Sequence, residues 1–359
     1  MPFFPWLVTG ALVLSLLVPG QVRAGAAGDA RRGRQPSPLP APVALAPVPP
    51  TVVAPIVNPE QVYTYEQLTK DFAALAERYP QLVRLRSIGQ SAYGREIWAL
   101  GLGTGPAAVL LNGAHHGSEW LTVNLLAAMA DDYAQAGARD EGIGGLLADA
   151  TIWFVPMVNP DGVTLSQVGL EAFPAEARDQ LRQLNGGSDD FRGWKANGEG
   201  IDLNRQYPAD WEHIVASPAA PAFSHFKGPE PLSAPESRAL YQFTLEVEPE
   251  IVAAYHSAGR VIYWHFHTAP EDLDRDLTIA ERLAELTGYA LMPIEENPSG
   301  GGYKDWFVQT GGRPGFTFEI GQYIDGGPLP LSVFAEEWER NRDVGLVLAA
   351  EAVRLRSMR

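Results

Sequence analysis

An apolar run over residues 107–111 leads straight into Asn112-Gly-Ala-His-His-Gly-Ser-Glu-Trp120, and an apolar-periodic run follows over residues 121–130. The first run reads as a buried strand and the second as a helix. A strand passing into a helix through a short polar turn restricts the fold of this chain more than any other stretch. His116 and Glu119 fall on that turn. Three residues apart, their side chains point the same way. An imidazole and a carboxylate together at the carboxyl end of a strand make two thirds of a catalytic zinc site. The competing reading is a helix-start Glu that complements the macrodipole, beside a surface His. The spacing alone leaves both open.

The 359 residues suffice for one large α/β domain or two ordinary ones, and a hydrophobic share of 46% builds a sizeable core. A net charge of −16 disfavours nucleic acid and anionic membrane surfaces as partners held by bulk charge. The absence of cysteine excludes disulfides, iron–sulfur clusters, thiolate zinc and cysteine nucleophiles. Residues 1–24 read as a secretory signal: residues 6–18 are almost wholly apolar, too short to span a bilayer comfortably, and Val22-Arg-Ala24 offers a small-x-small cleavage site. No Lys or Arg precedes the apolar run, and an uncleaved anchor is the alternative. Residues 25–60, basic at first and then rich in Pro, Ala and Val, read as a linker. The expectation is an exported protein, periplasmic or extracellular, with a catalytic domain over residues 61–359.

Thr64 with Gln67 marks a helix start, and Pro80 its end. Residues 82–88 and 96–102 alternate like strands around a turn at 91–94. Residues 151–158 read as another buried strand, closed by the turn signal Asn159-Pro-Asp-Gly162. Residues 165–226 read as a loop-rich binding region. A helix is expected over 235–247 with Ser233 as its cap, strands over 251–256, 261–264, 289–294 and 315–320, and helices over 273–287 and 334–355. Strands alternating with helices predict a single α/β/α sandwich domain with a mixed, mostly parallel, twisted sheet.

His256 closes the strand over 251–256. In an open α/β sheet the carboxyl ends of strands converge on one crevice, so His256 can meet His116 and Glu119 there. Two His and one Glu with an open fourth position form a catalytic zinc set; a core histidine bonded to backbone is the alternative. Glu319 ends the apolar strand around Phe316-Thr-Phe318, as a general base poised in a cleft or as an ordinary strand-end charge. In Asp202-Leu-Asn-Arg205, Arg205 suits bidentate carboxylate recognition, Asn204 adds a donor, and Asp202 can orient a metal-bound imidazole. His265 and His267, alternating beside Trp264, read as rim polarity, with a second metal site as the alternative.

The order His116-x-x-Glu119, Asn159-Pro-Asp-Gly162, Asp202-Leu-Asn-Arg205, Tyr255-His256-Ser257, Phe316-Thr-Phe-Glu319 resembles the zinc carboxypeptidase A family over about residues 63–354. Trp194-Lys-Ala-Asn197, Val261-Ile-Tyr-Trp264, Gly302-Tyr-Lys-Asp-Trp306 and Arg313-Pro-Gly315 are similar to the bacterial γ-D-glutamyl-meso-diaminopimelate peptidases, which cut peptidoglycan stem peptides. The resemblance implies a carboxypeptidase-like fold and one zinc ion per chain. It implies that His116, Glu119 and His256 hold the zinc with Asp202 behind His116, that Glu319 is the general base, and that Asn204 and Arg205 grip a carboxylate on the leaving side. Lys195 stands for the arginine with which digestive members stabilise the oxyanion, and Arg192 is its rival. Tyr303 is the phenol nearest to the mobile-loop tyrosine and is assigned to substrate binding. Lys304 aligns with the specificity position at the pocket base and favours an acidic end group such as the far carboxylate of diaminopimelate. Ser118 stands where digestive members carry a basic residue, and His115 is left to shape the rim.

The resulting expectation is a zinc-dependent peptidase acting on a peptide or muropeptide. A carboxypeptidase that releases C-terminal residues is the second enzyme reading, and an inactive cell-wall peptide-binding module is a third.

Overall fold

The computed structural model describes residues 54–359. The expected signal segment and the linker up to residue 53 lie outside the described residues. Residues 54–60, at the end of the expected linker, are held by the domain: Asp131 Oδ2 accepts the backbone N–H groups of Ile56 and Val57 at 2.6 and 2.8 Å, and Asn124 Nδ2 donates to the Pro59 carbonyl at 2.8 Å. Asp131→Ala leaves two amides without their acceptor, at a cost of about 1–3 kcal/mol. The expected result is a lower Tm together with faster hydrogen exchange at Ile56 and Val57. An unchanged exchange rate there shows that other contacts hold the segment.

Helix α1 (Tyr65–Arg78) starts as expected, with Thr64 Oγ1 accepting the Gln67 N–H. Strands β1 (Val83–Gln90), β2 (Glu96–Gly103) and β3 (Ala107–Gly113) follow, then α2 (Leu121–Gly137), α3 (Glu141–Asp149) and β4 (Ala150–Val155). Next come α4 (Pro160–Val168), α5 (Ala175–Leu184), α6 (Pro235–Val247), β5 (Ile251–Ser257) and β6 (Val261–Tyr263). The chain closes with α7 (Pro270–Thr287), β7 (Ala290–Leu291), α8 (Tyr303–Gly311), β8 (Gly315–Ile320), α9 (Phe334–Asn341) and α10 (Val344–Ser357). Among the described residues the strands form one eight-stranded sheet in the order β1-β2-β4-β3-β5-β8-β6-β7. The central run β4-β3-β5-β8 is parallel, and β1, β2 and β6 join antiparallel.

Every residue of β3 is buried, as a parallel strand covered on both faces requires. Val109 and Leu111 face the core beneath α1, α2 and α10, and Ala108 and Leu110 face the core beneath α6 and α8. Each buried Val or Leu side chain among these contributes about 1.5–3 kcal/mol. The same alternation runs through β5 and β8. Ile251, Ala253 and Tyr255 lie on the first face with Phe316, Phe318 and Ile320, while Val252 and Ala254 lie on the second. Period two therefore sends His256 and Glu319 to the second face.

Several local expectations are corrected. Asn159-Pro-Asp-Gly162 opens α4: Asn159 Oδ1 accepts the Gly162 N–H at 2.8 Å and Pro160 takes the first helical position. Helix α5 occupies part of the region expected to be loop. Ala234 precedes α6 in place of a Ser233 cap, because Gln206 Oε1 accepts both the Ala234 N–H and the Ser233 hydroxyl. The strand expected over 289–294 shortens to β7. The closing helix is two, because the Tyr133 phenol donates to the Arg342 carbonyl and accepts the Gly345 N–H, entering the helical ladder. Among the described residues, no helix is long and apolar enough to cross a membrane.

Candidate metal centre and its cleft

The carboxyl ends of β3, β5 and β8 open onto a cavity of about 980 Å³. After β3 the chain turns through Ala114 at φ 49° and makes a short 3₁₀ turn, Gly117–Glu119. That turn packs so tightly on the start of α4 that a Cβ on Gly117 would lie 2.3 Å from the Gly162 carbonyl oxygen. Its amides are fastened from the other side: Gly117 N–H donates to the Lys195 carbonyl at 3.1 Å and Ser118 N–H to the Trp194 carbonyl at 2.8 Å. Asn159 Nδ2 donates to the carbonyls of His115 and Ala196, both at 3.0 Å, and so ties the turn to the same loop.

The turn and β5 bring His116, Glu119 and His256 together, all three buried. One potential ligand atom from each lies within 4.8 Å of the others. His116 Nδ1 is 2.8 Å from Glu119 Oε1, and His256 Nδ1 is 2.9 Å from Glu119 Oε2. On the far side of the first ring, Asp202 Oδ1 lies 3.2 Å from His116 Nε2. Burial works against charge on the His116 ring, but the carboxylates of Glu119 and Asp202 outweigh it and push the ring up to about 9, with a proton toward each. A metal would replace the Nδ1 proton, while Asp202 keeps the ring proton on Nε2. Burial works against charge on Glu119 and Asp202, yet the His116 ring holds both carboxyls below the usual carboxylate range, aided at Glu119 by His256 and at Asp202 by Arg205. Two imidazole nitrogens and a carboxylate brought this close are a donor set that fits zinc, which would displace the protons the rings share with Glu119. The three residues line the wall of the open cavity.

Asp202 also accepts the backbone N–H groups of Asn204 and His225, both at 3.0 Å. Asp202→Asn keeps an acceptor oxygen for one of these two amides, which use different carboxylate oxygens, and loses the charge behind His116. The expected result is zinc affinity lower by about 10–100-fold with the fold retained. A zinc competition titration checks this, and unchanged affinity contradicts the role.

Glu319 stands opposite His256 in the β5–β8 register, half-buried on the cavity wall. Burial first, then the charge of Glu119, pushes its carboxyl up to about 7. A cation held by His116, Glu119 and His256 would pull the other way, toward the ionised form. Lys195 reaches the site from the loop that clamps the turn, with Nζ 3.1 Å from Glu119 Oε1. Asn204, Arg205 and Lys304 line the same cavity. Arg205 Nη1 donates to the Asn204 carbonyl at 2.9 Å, and Asn204 Oδ1 accepts the Tyr303 N–H at 3.1 Å.

Three expectations fail on packing grounds. Tyr303 does not face substrate: its ring is wholly buried among Tyr207, Trp306 and His115, and its hydroxyl lies 2.9 Å from Thr244 Oγ1. Arg192 is no rival to Lys195, because it is exposed and engaged by Asp190 away from the cavity. His115 does not shape the rim; it is buried, with Nε2 3.1 Å from the Tyr207 hydroxyl. His265 lines the cavity, whereas His267 pairs with Asp210 at 2.8 Å outside it. Sequence reasoning missed the positioning roles of Asn159 and of the Ser257 amide, which donates to Glu119 Oε2 at 3.2 Å. A capping Asn and a backbone N–H carry no signal of the distant groups they meet.

A model of the zinc carboxypeptidase family matches residues 68–344. The chain is 37% identical over 287 residues to gamma-D-glutamyl-L-diamino acid endopeptidase 1 of Lysinibacillus sphaericus, covering 78% of this chain and 70% of that protein. It is 26% identical over 278 residues to carboxypeptidase A2 of Rattus norvegicus, covering 73% of this chain and 63% of that protein. Among solved structures, carboxypeptidase A from Helicoverpa armigera shares the fold, with a TM-score of 0.66 at 19% identity, covering 84% of this chain and 76% of that one.

Proposed function

This chain belongs to the zinc carboxypeptidase family, and from that premise we propose that it cuts the amide between γ-D-glutamate and a diamino acid in peptidoglycan stem peptides, using one zinc ion held by His116, Glu119 and His256. The observation that carries the chemistry is the adjacency of Glu319 and His256 on neighbouring parallel strands in one cavity, which supports a base acting beside a metal donor. The choice of substrate is supported by the relative that bears that activity in its name and by the Arg205 guanidinium on the cavity wall.

Zinc, when bound, supplies Lewis acidity that polarises a carbonyl and acidifies water. Glu319 removes the proton from the attacking water and returns it to the leaving amine. The Lys195 ammonium lies beside the ligands, where it stabilises the oxyanion that develops on the scissile carbonyl. Asn204 and Arg205 hold a carboxylate of the leaving residue, and so fix the amide against the base.

The same two residues favour a second reading, in which Arg205 takes a C-terminal carboxylate and single residues are released. Digesting a γ-D-glutamyl-diaminopimelate peptide beside a ladder of ordinary C-terminal residues separates the two. Faster cleavage of the γ-linked bond is the expected result, and faster release from the ladder overturns the choice. Export belongs to the same reading: residues 1–24 direct secretion, the linker up to residue 53 tethers, and residues 54–359 carry the catalytic domain.

A further inference from the structure

Helix α8 brings two consecutive charged residues to the cavity wall. The Lys304 side chain is 5% exposed, and its ammonium lies 2.5 Å from Asp305 Oδ1 and 3.0 Å from the His265 carbonyl, with the Phe266 ring centre 5.6 Å away. Asp305 is 16% exposed. Both residues line the cavity that contains His116, Glu119 and His256. The wall therefore presents a neutral ion pair and not a bare lysine. A substrate tip with a single charge has to part that pair, and the partner left behind stays unpaired in a poorly solvated wall, which is strongly unfavourable. An apolar tip covers the pair and gives it nothing in return. A tip with an ammonium and a carboxylate on one carbon satisfies both: Asp305 accepts the ammonium and Lys304 donates to the carboxylate, so one ion pair becomes two.

We propose that the Lys304–Asp305 pair is the specificity element that reads a zwitterionic tip on the leaving residue, as at the far end of diaminopimelate, in preference to the lone ammonium of lysine or a lone carboxylate. The inference rests on the reading of this cavity as a peptidase site. It also differs from the expectation for Lys304 alone, which would rank an acidic tip as high as a zwitterionic one. Asp305 is the third residue of α8, where a carboxylate also complements the helix N-terminus. A purely helix-stabilising Asp305 would affect Tm and leave substrate ranking untouched.

The test uses the full chain loaded with zinc and two substrate series, one with a γ-D-glutamyl bond and one with an N-acyl-alanyl bond. In each series the leaving residue is diaminopimelate, lysine, 2-aminopimelate or norleucine. The expected kcat/KM for diaminopimelate exceeds each of the others by at least about tenfold in whichever series is cut. Asp305→Asn shifts the ratio of 2-aminopimelate to diaminopimelate upward by about tenfold or more, Lys304→Met does the same for lysine, and Asp305→Glu restores the diaminopimelate preference. Equal scaling of all four substrates in both variants overturns the proposal, as does a wild-type enzyme that takes 2-aminopimelate as well as diaminopimelate. Should a variant fail to fold, the wild-type ranking alone decides. Cleavage in the alanyl series only refutes the γ-D-glutamyl reading while the ranking still judges the pair. Cleavage in neither series refutes both.

Discussion

Glu319→Gln lowers kcat by about 10²–10⁴-fold while the protein keeps its zinc. The substitution conserves volume and shape, so the β5–β8 register that places residue 319 opposite His256 survives it. Glu319 is not among the three clustered donors, so the metal has no reason to leave. What disappears is a carboxylate able to take and return a proton beside the ligands. An amide side chain in that place has no basicity near neutral pH. Metal analysis of the purified variant beside its kcat checks both halves of the result. A variant that keeps zinc and most of its kcat would move the base elsewhere. Loss of zinc together with activity would make Glu319 a ligand.

His256→Ala is expected to act in the opposite order, losing the metal first and activity because of it. Removing the ring takes away one of three protein donors, and zinc affinity falls by more than about 100-fold, beyond the loss expected for a residue that only orients a ligand. The ring is buried, so the variant also carries a cavity and a lower Tm. Excess zinc in the assay distinguishes these effects. Activity that returns at high zinc identifies a weakened site, whereas a cavity defect alone leaves zinc affinity near that of the wild type. Together with Glu319→Gln, the pair gives crossed signatures of zinc kept without turnover and zinc lost with turnover.

The strands that carry the site were legible because each is a short, mostly apolar run with a polar residue at or next to its end. The direction of His256 and Glu319 was not, because the apolar run of β5 does not show in sequence which face meets which core; the structure does. The elements that were misread failed for local reasons. A capping Asn and a Pro at the first helical position are equally the marks of a turn, and only packing against Gly117 distinguishes α4 from one. Helix α3 contains Gly142, Gly144 and Gly145, which suppress the helix signal, and it went unanticipated. The break between α9 and α10 depends on a phenol from α2, more than 200 residues earlier. Tyr303 was misassigned because a residue beside a pocket lysine on a helix can point either way, and the aromatic cluster around Tyr207 drew it inward. The pairing of Lys304 with Asp305 also escaped the sequence, since adjacent residues on a helix do not ordinarily face one another.

The most direct measurement is mass spectrometry of a defined muropeptide digested by the zinc-loaded protein, by the same protein after chelation, and by the chelated protein given zinc back. The account predicts products split between γ-D-glutamate and the diamino acid in the first and third digests, with intact muropeptide in the second. Products of the same masses and in the same yield from the chelated protein would contradict it.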